Sequence, residues 1–388
     1  MNKSILNTGV QDFINNYKNA DILSVALKKS PFASVSSREL AEQITSRKKC
    51  EKKLPTWFKT PGIFYPESLA VEQASSEQTA QYKASLVSGK TLVDLSGGMG
   101  VDSYYFSQQI DQLTYCEINP SLAEITAHNF QVLGANNIDV KHGDGMRFLH
   151  ENKKTYDWIY VDPARRGKQK QRVFRLEDGK PDVIEHLQLL LDRAGKILLK
   201  TAPMLDIQQG LRDLQNVSQI HVVSVRNEVK ELLWVLNKSQ DKEPEIITVN
   251  LKKEEKQVFT FLPSMEKATS SSFSNPLQFL YEPNAAILKA GAFKLVGERY
   301  GLHKLNVNSH LYTSEELIDF PGRTFHIQTV YPYSKKLPFR KANVATRNFP
   351  IKADALSKKH RIRSGGDDYL FFTKNKEDKL LVIACRKA

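Results

Sequence analysis

Four segments between residues 91 and 166 carry residue types suited to holding a nucleoside. The first is Val93-Asp94-Leu95-Ser96-Gly97-Gly98-Met99-Gly100-Val101-Asp102-Ser103. Glycines at 98 and 100 allow positive φ and let backbone approach a ligand closely. A helix starting there would present free N–H groups. The second is Glu117, at the end of an apolar run. A carboxylate there can accept both hydroxyls of a ribose, at roughly 1.5–3 kcal/mol per charge-assisted bond. The third is Gly143-Asp144-Gly145-Met146, where Asp144 can accept from an adenine amino group and Phe148 can pack on the ring. The fourth is Asp162-Pro163-Ala164-Arg165-Arg166. Any one of them is compatible with an ordinary turn. Their shared position, each after an apolar run, is what argues for a site.

Those runs read as strands at 91–95, 113–117, 138–142, 158–161 and 196–200, with a helix at 121–133. Strands alternating with helices predict an α/β protein with a parallel, doubly wound sheet. In such a sheet the carboxyl ends of neighbouring strands meet at one crevice. Segments 219–226 and 231–236 predict a closing hairpin. Residues 1–60 read as a helical region, with a helix start at Ser37 and Glu39 and a basic cluster at Arg47, Lys48, Lys49, Lys52 and Lys53. That cluster suits a solvated face or a nucleic-acid contact. The α/β region is expected over 61–245, and a hairpin and polar linker over 246–276. A small module follows over 277–320, with one amphipathic segment at 285–300. A β-rich α+β domain is expected over 321–388, with strands at 324–330, 369–373 and 380–385.

The 388 residues carry a formal net charge of +13, which points to a polyanionic partner, nucleic acid first. Between Lys335 and Arg363 there are ten Lys/Arg against one acid, Asp354. Tyr331, Tyr333, Phe339 and Phe349 are interleaved and could stack on bases. The three cysteines, Cys50, Cys116 and Cys385, form no disulfide framework or metal motif, so a reducing compartment and no metal are expected. The N-terminus lacks an apolar leader, and no apolar run is long enough to span a membrane. A cytoplasmic protein without a membrane partner is the expectation.

Gly98-x-Gly100-x-x-Ser103 followed by Glu117 also approximates the fingerprint of nicotinamide enzymes. Two features turn away from it. Asp94 would repel a pyrophosphate but suits the ammonium of a methionine-like ligand. The Asp162-Pro163-Ala164-Arg165 turn has no place in that fingerprint. The ordered set DLSGGMG, YCEINP, HGDGMRFL and YVDPARR resembles motifs I to IV of class I S-adenosylmethionine (SAM)-dependent methyltransferases, over roughly 64–240. The resemblance implies a Rossmann-like sheet and SAM as cofactor. It implies Asp94, Gly98 and Gly100 at the methionine end, Glu117 at the ribose, Asp144 at the adenine, and Thr79 near the methionine carboxylate.

Asp162 then falls where the methyl acceptor docks. In the nucleic-acid amino methyltransferases of this class, motif IV is commonly Asp/Asn-Pro-Pro-aromatic. Its acid or amide and its proline carbonyl orient an exocyclic amine. Here Ala164 replaces the second proline and Arg165 the aromatic. A guanidinium can stack on a base or bind phosphate. Asp162, Pro163 and Arg165 are therefore the candidate catalytic residues. Exocyclic nitrogen is the first expectation, with ring nitrogen or carbon open. Arg165, Arg166, Lys168, Lys170 and Arg172 form a basic run suited to phosphate.

Tyr281-Glu282-Pro283-Asn284 resembles a ferredoxin-like module found in certain bacterial methyltransferases. Phe320-Pro321-Gly322-Arg323, Arg347-Asn348-Phe349-Pro350 and Gly365-Gly366-Asp367-Asp368 resemble the THUMP-like domain that follows it. True THUMP domains accompany tRNA modification, which implies an RNA partner by analogy. The expectation is a SAM-dependent methyltransferase acting on a base in tRNA or rRNA. The alternatives are a non-catalytic RNA-binding protein on the same fold, or a methyltransferase for DNA or a small molecule.

Overall fold

The structure, a computed structural model, describes residues 1–165, 175–253, 255–334 and 336–388. The chain divides into two compact units. One comprises Met1–Val217 with Leu233–Asp241, the other Ser218–Leu232 with Lys242–Ala388.

The first unit is built on strands β1 (Gly89–Asp94), β2 (Ile110–Glu117), β3 (Ile138–His142) and β4 (Tyr156–Val161). Two-residue strands β5 (Ala164–Arg165) and β6 (Gly179–Lys180) pair antiparallel with each other, and β7 (Ala194–Thr201) pairs parallel with β4. Five strands of a nine-stranded sheet run in the order β7-β4-β1-β2-β3, all parallel to their neighbours among these five. Central strands covered on both faces read as unbroken apolar runs. Accordingly Trp158 to Val161 and Ile197 to Leu199 are all buried. Asp94 sits opposite both Tyr115 and Tyr160, Glu117 opposite His142, and Val161 opposite Leu199. All five strands therefore end along one edge, as the alternation predicted.

The helix Pro120–Val132 returns the chain from β2 to β3. Asn119 caps it by accepting from Ser121 N and Leu122 N, and Pro120 occupies its first turn, where no N–H is needed. The N-terminal helices are not free-standing. Ile5, Val10, Ile14, Leu40, Ile44 and Phe64 share one apolar cluster with Ile125 of that helix. The helix Ser37–Lys53 starts where the sequence suggested, but its cap lies one residue earlier. Ser36 is the cap, and Glu39 reciprocates with its side chain in a capping box.

Three residues of the basic cluster of that helix work inside the protein. Arg47 lies 4.1 Å over the Phe58 ring, Lys49 pairs with Glu72, and Lys53 donates to the carbonyls of Val71 and Glu72. Lys49 and Lys53 hold the helix Ser68–Gln73, and Arg47 holds the helix Pro55–Lys59. Lys48 and Lys52 of the same cluster are exposed, on a solvated face.

Strand β8 (Val217–Val225) leads to β9 (Glu228–Asn237) through Arg226 and Asn227, both at positive φ; Ser218–Leu232 falls in the second unit and Leu233–Asn237 in the first. Strand β10 (Glu245–Leu251) runs parallel to β8 and antiparallel to β11 (Lys256–Phe261). A separate seven-stranded sheet follows. Its strands are β12 (Phe279–Pro283), β13 (His303–Lys304), β14 (Tyr312–Ser314), β15 (Gly322–Pro332), β16 (Asn343–Thr346), β17 (Asp368–Lys374) and β18 (Leu380–Lys387). Their order is β13-β14-β12-β15-β18-β17-β16. The expected single helix over 285–300 is two, Ala285–Ala290 and Leu295–Arg299. Gly291 ends the first in the left-handed conformation, at φ 80°.

Candidate functional site

At the carboxyl edge of the first unit lies a cavity of about 990 Å³. Its wall includes Gly98, Gly100, Glu117, Asp144 and Asp162, which 64 residues of chain bring to one place.

The glycine loop is held from three sides. Gly98 N donates to Glu117 Oε2 at 2.7 Å, while Gly98 O accepts from Tyr115 OH at 2.5 Å. Gly98 has φ 63° and Gly100 φ 74°. A Cβ on Gly100 would lie 2.5 Å from Thr126 and 2.6 Å from the Phe130 ring. Glycine is thus required at 100 by both conformation and space.

Glu117 is nearly buried and is fixed at both oxygens, Oε2 by Gly98 N and Oε1 by Asn119 N. Each carboxylate oxygen has a second lone pair to offer a ligand. Asp144 caps the helix Gly145–Glu151, its Oδ1 accepting from Met146 N and Arg147 N. Gly145 lets that helix press on Leu95, whose carbonyl would lie 2.4 Å from an added Cβ. Ile118, Leu122 and Met146 supply the apolar wall. Phe148, expected against the adenine, is not part of it.

Asp94 and Thr79 are placed differently from expectation. Asp94 lies beneath the loop at 1% exposure, outside the cavity wall. Its Oδ1 accepts from Ser96 N and Oγ, and its Oδ2 from Ser103 Oγ at 2.6 Å. Burial pushes its carboxyl up to about 7 against the pull of those hydrogen bonds. It braces the loop from below. Thr79 is buried in the helix Glu77–Ala84 and bonds back to its cap, Ser76. Gln73, Ala74 and Ser75 reach the cavity in its stead.

At the far end Asp162 N donates to Ser96 Oγ at 2.7 Å, tying the ends of β4 and β1 together. Asp162 Oδ2 accepts from Lys200 Nζ at 2.5 Å. Ala164 is in the wall, whereas Pro163 packs beneath Gly179, whose added Cβ would meet it at 2.7 Å. Arg165 is described as backbone of β5. The basic run Arg166, Lys168, Lys170 and Arg172 lies outside the described residues.

Among the charged residues of the wall that were not read from the sequence are Asp102 and Lys200. Asp102 accepts from Tyr160 OH and Ser75 Oγ, both at 2.8 Å, and faces the fully buried Lys83 ammonium at 3.3 Å. Burial alone would raise its carboxyl. The charges of Lys83 and Lys200, with the two hydrogen bonds, hold it below its ordinary value instead. Lys200 ends β7, so the strand-end reasoning that found Asp162 could have found it. A buried lysine such as Lys83 has no signature in sequence.

Comparison with known proteins decides the family. A crystal structure from Porphyromonas gingivalis W83, named as a methyltransferase, is 33% identical with a TM-score of 0.90, and the match covers 100% of this chain and 98% of that one. The chain belongs to this methyltransferase family. Family models described as a ferredoxin-like domain and as THUMP domain-like match residues 279–321 and 322–387 of the methyltransferase. A protein of Mycobacterium tuberculosis named as a SAM-dependent methyltransferase is 22% identical over 306 residues, 76% of this chain and 80% of that one. A protein of Mycoplasma mobile named as an RNA methyltransferase is 26% identical over 155 residues, 39% of this chain and 42% of that one. SAM is the cofactor of this methyltransferase. The cavity fits it: Glu117 offers acceptors beside a glycine loop, flanked by an apolar wall.

Proposed function

We propose that this enzyme methylates a base in RNA, either tRNA or rRNA, in the cytoplasm. The observation that carries the reading is the single cavity that joins Gly98, Glu117 and Asp144 to Asp162. When bound, SAM supplies a methyl group activated by its sulfonium. Gly98 and Gly100 leave room for the methionine end, Glu117 accepts from the ribose, and Asp144 faces the adenine. Asp162, with the Pro163 carbonyl, orients the acceptor base. Catalysis is chiefly alignment, which can contribute about 7–11 kcal/mol.

The second unit supports RNA as the acceptor. Among the described residues Lys336, Arg340, Lys341, Lys352, Lys358, Lys359, Arg361 and Arg363 are exposed. Arg347 is not part of that surface, because it pairs with the buried Glu282. Lys335, also counted in the sequence, lies outside the described residues. Tyr331, Tyr333, Phe339 and Phe349 pack on the core formed by Leu356, Leu370 and Phe372. The surface is suited to phosphates. Among the described residues no helix is long and apolar enough to cross a membrane, and no group of three or more His, Cys, Asp or Glu could hold a metal.

The test is transfer of tritiated methyl from SAM to RNA from a strain lacking the gene, followed by nucleoside analysis. Label in an RNA nucleoside is the expected result. Label only in DNA or a small acceptor, insensitive to salt, overturns the reading, because phosphate binding weakens with salt.

A further inference from the structure

An amine-methylating site needs only acceptors beside its base, and Asp162 with the Pro163 carbonyl would suffice. Lys200 is therefore unexplained. It extends from β7 into the cavity, its ammonium 2.5 Å from Asp162 Oδ2, with side-chain exposures of 16% and 35% for the two residues. Both are sheltered, yet both can be reached from the cavity. Asp102, the other carboxylate near Lys200, already faces Lys83. The remaining charged residues of the wall are Lys180, Asp182, Glu185 and His186.

We propose that Asp162 and Lys200 together grip a lactam edge, an N–H beside a C=O, and that the methylated atom is the ring nitrogen of guanine or uracil. This rests on the RNA reading above and names its acceptor. The argument is one of charge. An ammonium bonded to the ring nitrogen of adenine or cytosine drains the neighbouring amine of the electron pair it must donate. The same ammonium on a lactam oxygen has the opposite effect. A lactam N–H has no free pair until its proton leaves, and the charge then resides largely on the carbonyl oxygen. A cation held there stabilises it in the manner of an oxyanion hole. A carboxylate beside it receives the proton.

The step balances. The ring nitrogen forms its bond to the methyl carbon as the carbon–sulfur bond breaks. The electron pair of that bond stays on sulfur, leaving a neutral thioether. The ring N–H proton passes to an Asp162 oxygen, and the base ends neutral.

The test uses the full-length protein, SAM and RNA from a deletion strain. The modified nucleoside is expected to be 1-methylguanosine or 3-methyluridine. A methyl on an exocyclic amine overturns this proposal and leaves the RNA reading intact. No label in RNA overturns both. Lys200→Met should slow single-turnover transfer roughly 100-fold at neutral pH. Its rate should climb with pH as the lactam ionises unaided, and Lys200→Arg should restore much of the rate and the flatter profile. A second readout needs no turnover. Ultraviolet titration of a guanine- or uracil-containing oligonucleotide, bound with S-adenosylhomocysteine, should show base ionisation at lower pH with the wild type than with Lys200→Met. SAM affinity retained in Lys200→Met shows that the variant is folded. A uniform loss of rate at every pH, or no difference in base ionisation, assigns Lys200 a structural part and overturns the proposal.

Discussion

The backbone N–H of Gly98 lies 2.7 Å from Glu117 Oε2, so the glycine loop and the acid of the next strand act as one unit. Removing the carboxylate frees the loop and, on the proposed assignment, removes the ribose acceptor together. Glu117→Ala is expected to weaken SAM binding by roughly 1.5–3 kcal/mol, one to two orders of magnitude, by calorimetry. Asp162→Ala, at the other end of the cavity, should lower methyl transfer with SAM affinity little changed. Equal losses of SAM affinity in both variants would contradict the roles assigned to them.

Gly98 and Gly100 separate conformational strain from crowding. Both have positive φ, which costs an alanine roughly 1–2 kcal/mol. An added Cβ at 98 meets nothing nearer than Ser96 O at 3.8 Å, whereas at 100 it meets Thr126 and Phe130, both buried. Overpacking adds about 1–3 kcal/mol. Gly100→Ala should therefore unfold at clearly lower urea than Gly98→Ala. Coincident unfolding curves would show that the pocket of Thr126 and Phe130 yields to a methyl group.

The sequence made the sheet legible because its strands are buried on both faces and bounded by turn residues. The ends at Glu117, Asp144 and Asp162 followed from that alternation. What escaped was set by packing across the sheet. Whether Asp94 faces the cavity or the loop depends on Ser103, nine residues on, folding back over it. The same holds for Arg47 and Lys53, whose charges looked solvated until their partners at Phe58 and Val71 came into place. Gly291 broke a helix whose apolar pattern continued unbroken through it.

Asp94 makes stability depend on pH. Burial lifts its carboxyl from 3.8 to about 7, with hydrogen bonds from Ser103 and Ser96 opposing and the charge of Asp102 adding to the rise. The folded state thus holds the proton more tightly than the unfolded one. The resulting stability is complete below the unfolded value and is lost as pH rises through about 7. Asp94→Asn should flatten that slope, so wild type loses more stability than the variant between about pH 5 and pH 8, on the order of a few kcal/mol. Urea unfolding at the two pH values measures it, and parallel losses in both proteins would remove Asp94 as the cause.

Lys83 and Asp102 form an ion pair that neither partner can leave alone. Lys83 is fully buried and its ammonium lies 3.3 Å from Asp102 Oδ1. Taking away one member of a buried pair costs about 3–5 kcal/mol, because the other charge stays desolvated. Lys83→Met should destabilise by that amount. Adding Asp102→Asn should recover part of it, since a neutral amide can still accept from Ser75 and Tyr160. A double variant as unstable as the sum of the singles would show the two residues to be independent.

Arg340, Lys341 and Arg363 are exposed and are brought together by backbone, with Arg363 N donating to Arg340 O and Ala342 N to Arg363 O, both at 2.9 Å. Three cations fixed side by side are a natural phosphate contact. Changing all three to glutamine leaves the backbone bonds in place and should not alter the melting temperature. RNA affinity should fall, and the slope of log affinity against log salt should shrink by about 0.7 for each single-strand phosphate contact removed. A weaker complex with an unchanged slope would mean that the loss came from elsewhere, since neutralised phosphates are the source of that slope. Methyl transfer to RNA should recover at high RNA concentration, because the proposed function has these residues hold the substrate while Asp162 acts on it.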